Sequence, residues 1–430
     1  MRQLVPMLPM LPMLPMLLLT ASLGCGPRAQ LGPGPRAATD FPAVAPLVPP
    51  LLDDVDDEDD AARTGVISLE LEPLRIDVIV GPDGTDAVVS DARTLFDDGT
   101  DALVQGRPGE AILAYERLLA DFPDSKLAGI ARYNAGIAHE RAGDDVRAAA
   151  LFAEAIAAAP AGSSDEKDAR QRLGDLLLRT QQFARAEASY LELLARTDLT
   201  PAERIAALAA LGHARLEAGD YAAAEETLRS AIRYHEEASA AEHVDARHHL
   251  AMAQYFLAAI PQRQFAALPL RYPEEQMARD LDQKSQLFLV AQERYERASE
   301  SGDLYYATAA LFQVAAMYRK FWDDFMLVPI PRALDVAEAK EYVKGINEEP
   351  QIRILLQKAL TIHERNIGVG REFGATPWVD RSVVAVGDIR EFLARQTGGE
   401  LFVPGSVPIA KAGGAVRGSG AEYLPARREL

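Results

Sequence analysis

Four glycines, Gly99, Gly136, Gly174 and Gly212, recur at intervals of 37, 38 and 38 residues, and this recurrence limits the possible folds more than any other feature of the chain. An alanine follows each of them twelve residues later, at Ala111, Ala148, Ala186 and Ala224. A large apolar residue stands sixteen residues on, at Tyr115, Phe152, Tyr190 and Leu228. A repeat of this length is one supersecondary unit that cannot bury its apolar face alone, so neighbouring copies must stack. The clearest copy is Ile205–Arg233. Leu208, Leu211 and Gly212 share a face of a first helix, Ala218-Gly219-Asp220-Tyr221 makes a turn, and Ala224, Leu228 and Ala231 line a second helix at helical spacing. Gly212 and Ala224 are read as the point where the two backbones approach, because only a residue with little side chain permits a close crossing.

This pattern resembles the tetratricopeptide repeat over roughly Asp91–Glu237. Pro123 and Pro160 end the second helices of the first two copies as the family pattern requires, whereas Asp198 and Glu236 stand there in the last two. The link Asp121-Phe122-Pro123-Asp124-Ser125 is similar to that of periplasmic tetratricopeptide lipoproteins of Gram-negative bacteria, among them the barrel-assembly and Tol-Pal-associated proteins. The resemblance implies an all-α fold, a right-handed α-solenoid, and a non-enzymatic scaffold that binds other cell-envelope proteins or peptides. It also implies a concave groove lined, by register, by Phe96, Thr100, Tyr133, Ile137, Gln171, Asp175, Ala209 and His213. None of these is Lys or Arg, so a partner segment with apolar anchors suits the groove better than a peptide carboxylate.

The N-terminus points to the same compartment. Arg2, the apolar run Leu4–Leu19 and the small-residue stretch Thr20-Ala21-Ser22-Leu23-Gly24 before Cys25 have the layout of a secretory signal. The segment 1–25 looks like a bacterial lipoprotein signal, with Cys25 as the lipidated residue; Gly24 fits that pattern, while Ser22 and Leu23 depart from its usual order. A plain secretory signal is the alternative. Pro6, Pro9, Pro12 and Pro15 interrupt the run, and the clean apolar stretch Met16–Leu23 is far short of the ~20 residues that cross a bilayer. The expected location is the periplasmic side of the envelope, on the outer membrane.

The remaining segments follow from composition. Residues 26–64 are rich in Pro and Gly and then acidic, Asp53–Asp60 reading DDVDDEDD, which suits an extended tether. Residues 65–90 read as strand-like. Gly65–Val80 alternates apolar and polar residues and forms two short strands broken at Pro73, after which Gly81-Pro82-Asp83-Gly84 turns toward the helices. Four repeats fill 91–240. Residues 241–396 form a degenerate repeat-like helical half in which Pro261 interrupts a first helix, Ser301-Gly302-Asp303 stops one helix and caps the next, and Trp378–Arg395 closes the array. Residues 397–430 form a loose tail. In the late helix Phe321, Trp322 and Phe325 are open to two readings, a core stripe or an exposed anchor for a partner.

Chemistry is sparse. The net charge of −19, from 64 acidic against 45 basic residues, repels nucleic acid. The sequence contains no phosphate-binding glycine loop, no nucleophile elbow and no His-Glu-x-x-His helix. His243, His248 and His249, with His235 and Glu242 nearby, lack ligand spacing and read as a solvated face. No cofactor, metal or small-molecule substrate is expected. The competing reading is a periplasmic enzyme or ligand-binding protein whose site lies in Glu242–Arg395, which would require a deep pocket with converging polar groups there.

Overall fold

The computed structural model describes residues 73–81, 84–241, 243–328, 330 and 334–397. The signal, Cys25, the tether, the strand expected before Pro73 and the tail beyond Thr397 lie outside the described residues. Among the described residues, apart from one two-stranded hairpin, the fold is all-α, and antiparallel helices stack as in a tetratricopeptide-type solenoid. The chain divides into two compact units, one ending at Asp198 and the other beginning at Leu199.

The first unit opens with strands β1 (Arg75–Gly81) and β2 (Gly84–Ser90), antiparallel, with Ile76 opposite Val89. Because Gly84–Ser90 pairs as a second strand, the chain after Gly81 does not lead directly to the helices as expected from the sequence. Arg75 pairs with Asp121, and Arg117 donates to Ser90 Oγ at 3.2 Å, which ties the hairpin to the first helix pair. Three pairs follow: α1 (Ala92–Val104) with α2 (Pro108–Asp121), α3 (Ala128–Ala142) with α4 (Asp145–Ala158), and α5 (Ser164–Arg179) with α6 (Phe183–Leu194). Side-chain caps start three of these helices: Asp91 accepts from Thr94 N at 2.6 Å, Asp144 from Arg147 N at 3.1 Å and Ser163 from Glu166 N at 3.2 Å.

The turn inside each pair is one structure repeated. In the first copy Arg107 N bonds Ala102 O at 2.8 Å and Gly106 N bonds Leu103 O at 3.2 Å, the two bonds that satisfy orphan carbonyls at a helix C-terminus. Equivalent bonds join Asp144 to His139 and Gly143 to Glu140, and Gln182 to Leu177 and Gln181 to Leu178. The residue between the helices must take a left-handed backbone, with φ of 72° at Gly106 and 83° at Gly143; in the third pair Gln181 holds that place at φ 61°.

The second unit begins with the fourth pair, α7 (Pro201–Glu217) and α8 (Tyr221–Ala241), whose turn repeats these bonds through Gly219 at φ 86°. Thr200 and Glu203 cap α7 reciprocally. Next come α9 (Arg247–Ala267), α10 (Glu274–Ser299), α11 (Leu304–Leu327), the short α12 (Val336–Glu348), α13 (Pro350–Phe373) and α14 (Pro377–Thr397). Asp303 caps α11 by accepting from Tyr306 N at 2.9 Å. Pro261 does not interrupt α9, which continues through it to Ala267. Proline has no N–H to offer the carbonyl four residues earlier, and here Arg294 of α10 donates to that freed Leu257 O at 3.0 Å while also pairing with Glu225. Phe321 and Trp322 are fully buried. Phe321 packs against Phe265, Phe288 and Phe325, and Trp322 meets Phe392 edge-on at 4.6 Å. They are core.

Candidate partner-binding surface

The recurring glycine and the large residue sixteen positions later form the joint of each helix pair. A β-carbon on Gly99 would lie 2.8 Å from the Tyr115 ring, on Gly136 2.7 Å from the Phe152 ring, on Gly174 2.9 Å from the Tyr190 ring, and on Gly212 2.5 Å from Leu228. The glycine thus makes room for a side chain of the second helix. The close approach read from the sequence at Gly212 falls on Leu228, whose side chain would lie 2.5 Å and whose backbone N 3.4 Å from such a carbon, and Ala224 is fully buried.

The residue after each glycine completes the joint. Thr100 Oγ1 lies 2.9 Å from Tyr115 OH, and Tyr190 OH donates to Asp175 Oδ1 at 2.7 Å. Where the second-helix residue is Phe152 and has no hydroxyl, the corresponding Ile137 is apolar and fully buried. In the second unit His213 holds this register position; it stacks on Phe256 of α9 at 3.7 Å and lies 3.5 Å from Glu217 of its own helix. Burial raises the Asp175 carboxyl to about 6, partly countered by the Tyr190 bond. It also raises Tyr133 to about 12 and lowers His213.

This geometry redraws the groove expected from register. Phe96 is 1% exposed and meets Tyr115 edge-on at 5.8 Å, and Tyr133 is 4% exposed, 5.6 Å from the Phe152 ring. Ile137 and Ala209 are buried as well. These four lie between helices and do not project into a groove. Thr100 and Asp175 are engaged within their pairs, His213 stacks on Phe256 of α9, and Gln171 is half-buried. The covariation of Tyr with a polar partner and Phe with Ile was present in the sequence and is the signal that could have shown it.

Surface grooves exist elsewhere. One of about 400 Å³ lies between α7 and α8, with Leu208 and Tyr234 as apolar lining and Arg204, Arg233, Ser230 and Glu237 around them; the Arg204 guanidinium sits 5.9 Å from the Tyr234 ring centre. Another, of about 330 Å³, lies beside Pro261 between α9 and α10. Both are open to solvent. His243 is exposed and His248 largely so; His248 lies 2.9 Å from Asp303 Oδ2, and burial pushes the adjacent His249 down to about 4. Among the described residues no group of three or more His, Cys, Asp or Glu is placed to hold a metal ion, and no helix is long and apolar enough to cross a membrane.

Stacked helix pairs joined by a glycine-seated side chain define a helical-repeat protein. Residues 96–163 match the tetratricopeptide-repeat family model. No curated protein matches it. Similar solved structures include MamA residues 41 to end from Desulfovibrio magneticus RS-1, at 18% identity over 47% of this chain and 96% of that one, with a TM-score of 0.32. A tetratricopeptide-repeat protein from Parabacteroides merdae is similar at 14% identity over 71% of this chain and 98% of that one, with a TM-score of 0.34. The apo form of RapI is similar at 12% identity over 71% and 87%, with a TM-score of 0.40.

Proposed function

We propose that this protein is a non-enzymatic scaffold of a cell-envelope complex, held at the periplasmic side of the outer membrane by a lipidated Cys25. The observation that carries the scaffold reading is the repeat itself: equivalent joints at Gly99, Gly136, Gly174 and Gly212 use their side chains to pack one helix on the next, and such arrays function by presenting surface. The tether and the signal-like segment ending at Cys25 supply the envelope part of the reading. The groove of Leu208 and Tyr234, ringed by Arg204 and Arg233, fits a partner segment that offers an apolar side chain beside a carboxylate.

Two experiments test this in the intact protein. Cys25→Ser should move it from the membrane to the soluble fraction and abolish palmitate incorporation, since a lipid chain supplies the attachment. An unchanged membrane fraction with no label in the wild type would refute the anchor. Tyr234→Ala should lower in vivo crosslinking to envelope partners at equal abundance, with ~2 kcal/mol of lost anchoring corresponding to about thirtyfold in affinity. Retention of every partner at wild-type yield would refute this groove.

A further inference from the structure

Helix α14 is fastened to α11 and α13 by a small buried polar cluster centred on one histidine. Ser382 of α14 has its Oγ 3.2 Å from His363 Nδ1 and accepts from Asn366 Nδ2 at 2.9 Å, both on α13. Asn366 Nδ2 also lies 3.0 Å from Thr308 O of α11, and Thr308 Oγ1 is 2.8 Å from the hydroxyl of Thr376, which directly precedes α14. His363 is 2% exposed, with the Phe312 ring 5.3 Å away and Trp378 beyond it, 5.5 Å from Phe312.

No carboxylate is among these contacts. On α13 the neighbouring Glu364 pairs outward with Arg390 of α14, and Arg365 is exposed. On α14 Asp380 is exposed and Arg381 lies over the Trp378 ring at 4.7 Å. On α11 Arg319 lies over Trp322 and pairs with Asp323. An imidazolium at position 363 would therefore be desolvated without a counter-charge, whereas the neutral ring satisfies Ser382.

We propose that His363 is an acid latch: its protonation releases α14 from the face formed by α11 and α13, baring Phe312, Trp322 and Trp378. Burial holds the His363 imidazole down to about 4 in the closed form, against an ordinary value of 6.5. Linkage then raises the open-to-closed ratio by about twentyfold between pH 7 and pH 5. The two tryptophans of the chain, Trp322 and Trp378, both sit under or on α14, so their emission reports its release.

The test is a pH titration of the full-length protein from 7 to 4.5, read by tryptophan emission and by hydrogen exchange. The expected result is exchange over 377–397 that quickens about twentyfold between pH 7 and pH 5, beyond the intrinsic pH effect, with a red shift growing in the same direction, while 128–158 stays protected. His363→Gln, whose amide can still bond Ser382, should remove the transition. A wild-type signal that stays flat to pH 4.5, a transition that persists in His363→Gln, or protection lost equally over both segments would each overturn the latch. If His363→Gln does not fold, the wild-type imidazole resonance decides. Titration of His363 together with the tryptophan change supports the latch, and titration near 6.5 without that change overturns it.

Discussion

Helix α3 contains two glycines that should respond in opposite directions to the same substitution. A β-carbon at Gly136 would fall 2.7 Å from Phe152 Cε1, so the ring must withdraw by about 0.7 Å to reach ordinary contact near 3.4 Å. It has little room to do so, because Phe152 is fully buried and Tyr133 stands 5.6 Å away. Overpacking of this kind costs ~1–3 kcal/mol. The gain from replacing a helical glycine by alanine offsets ~0.5–1 kcal/mol of it. Gly136→Ala should therefore destabilise the pair, by up to about 2.5 kcal/mol. At Gly129 nothing lies within 4 Å of the new carbon, and Gly129→Ala should stabilise by about 0.5 kcal/mol. Hydrogen exchange over 128–158 measures both locally, and 1 kcal/mol corresponds to about a fivefold rate change. Gly136→Ala protected as well as or better than Gly129→Ala would refute the account of the joint.

Gln181→Gly should stabilise α5–α6 by up to about 1 kcal/mol, since it relieves a left-handed non-glycine residue against a smaller unfolded-state penalty; slower exchange over 164–194 checks it. Asp175→Asn keeps an acceptor for Tyr190 OH and should stabilise at pH 7 by about 1–2 kcal/mol. The folded carboxyl, near 6, binds protons more tightly than the unfolded one at 3.8, so wild-type stability rises as pH falls from 6 to 3.8 and the difference vanishes at pH 3.5; parallel urea curves at both pH values measure this. Asp324→Ala leaves the fully buried Lys284 ammonium, 2.9 Å from Asp324, without its counter-charge and with only the Phe265 and Leu268 carbonyls as acceptors, and should cost about 3 kcal/mol, read as a lowered urea midpoint.

Much of the fold was legible because stacking repeats write their geometry at fixed intervals. Gly99, Gly136, Gly174 and Gly212 with their partners sixteen residues on gave the pairs, their turns and their register. The cap at Asp303 was equally local, as a side-chain oxygen and a backbone N–H three residues later need nothing from the rest of the chain. The hairpin was half legible: the first strand after Pro73 shows alternation, while Gly84–Ser90 takes its strand form from pairing with Arg75–Gly81.

By itself, then, the sequence determined period, helix-pair joints and turn chemistry, since all three arise within one 37- or 38-residue copy. Only the tertiary structure decided which faces are covered. Periodicity places Phe96, Tyr133 and Trp322 on a helix face but does not say what packs there, and a repeat helix is covered by its own partner and by adjoining helices, so most of its circumference is interior. The same holds for Pro261, whose helix survives because Arg294 of α10 reaches Leu257 O, and for His363, which became a buried neutral ring when α14 brought Ser382 to it.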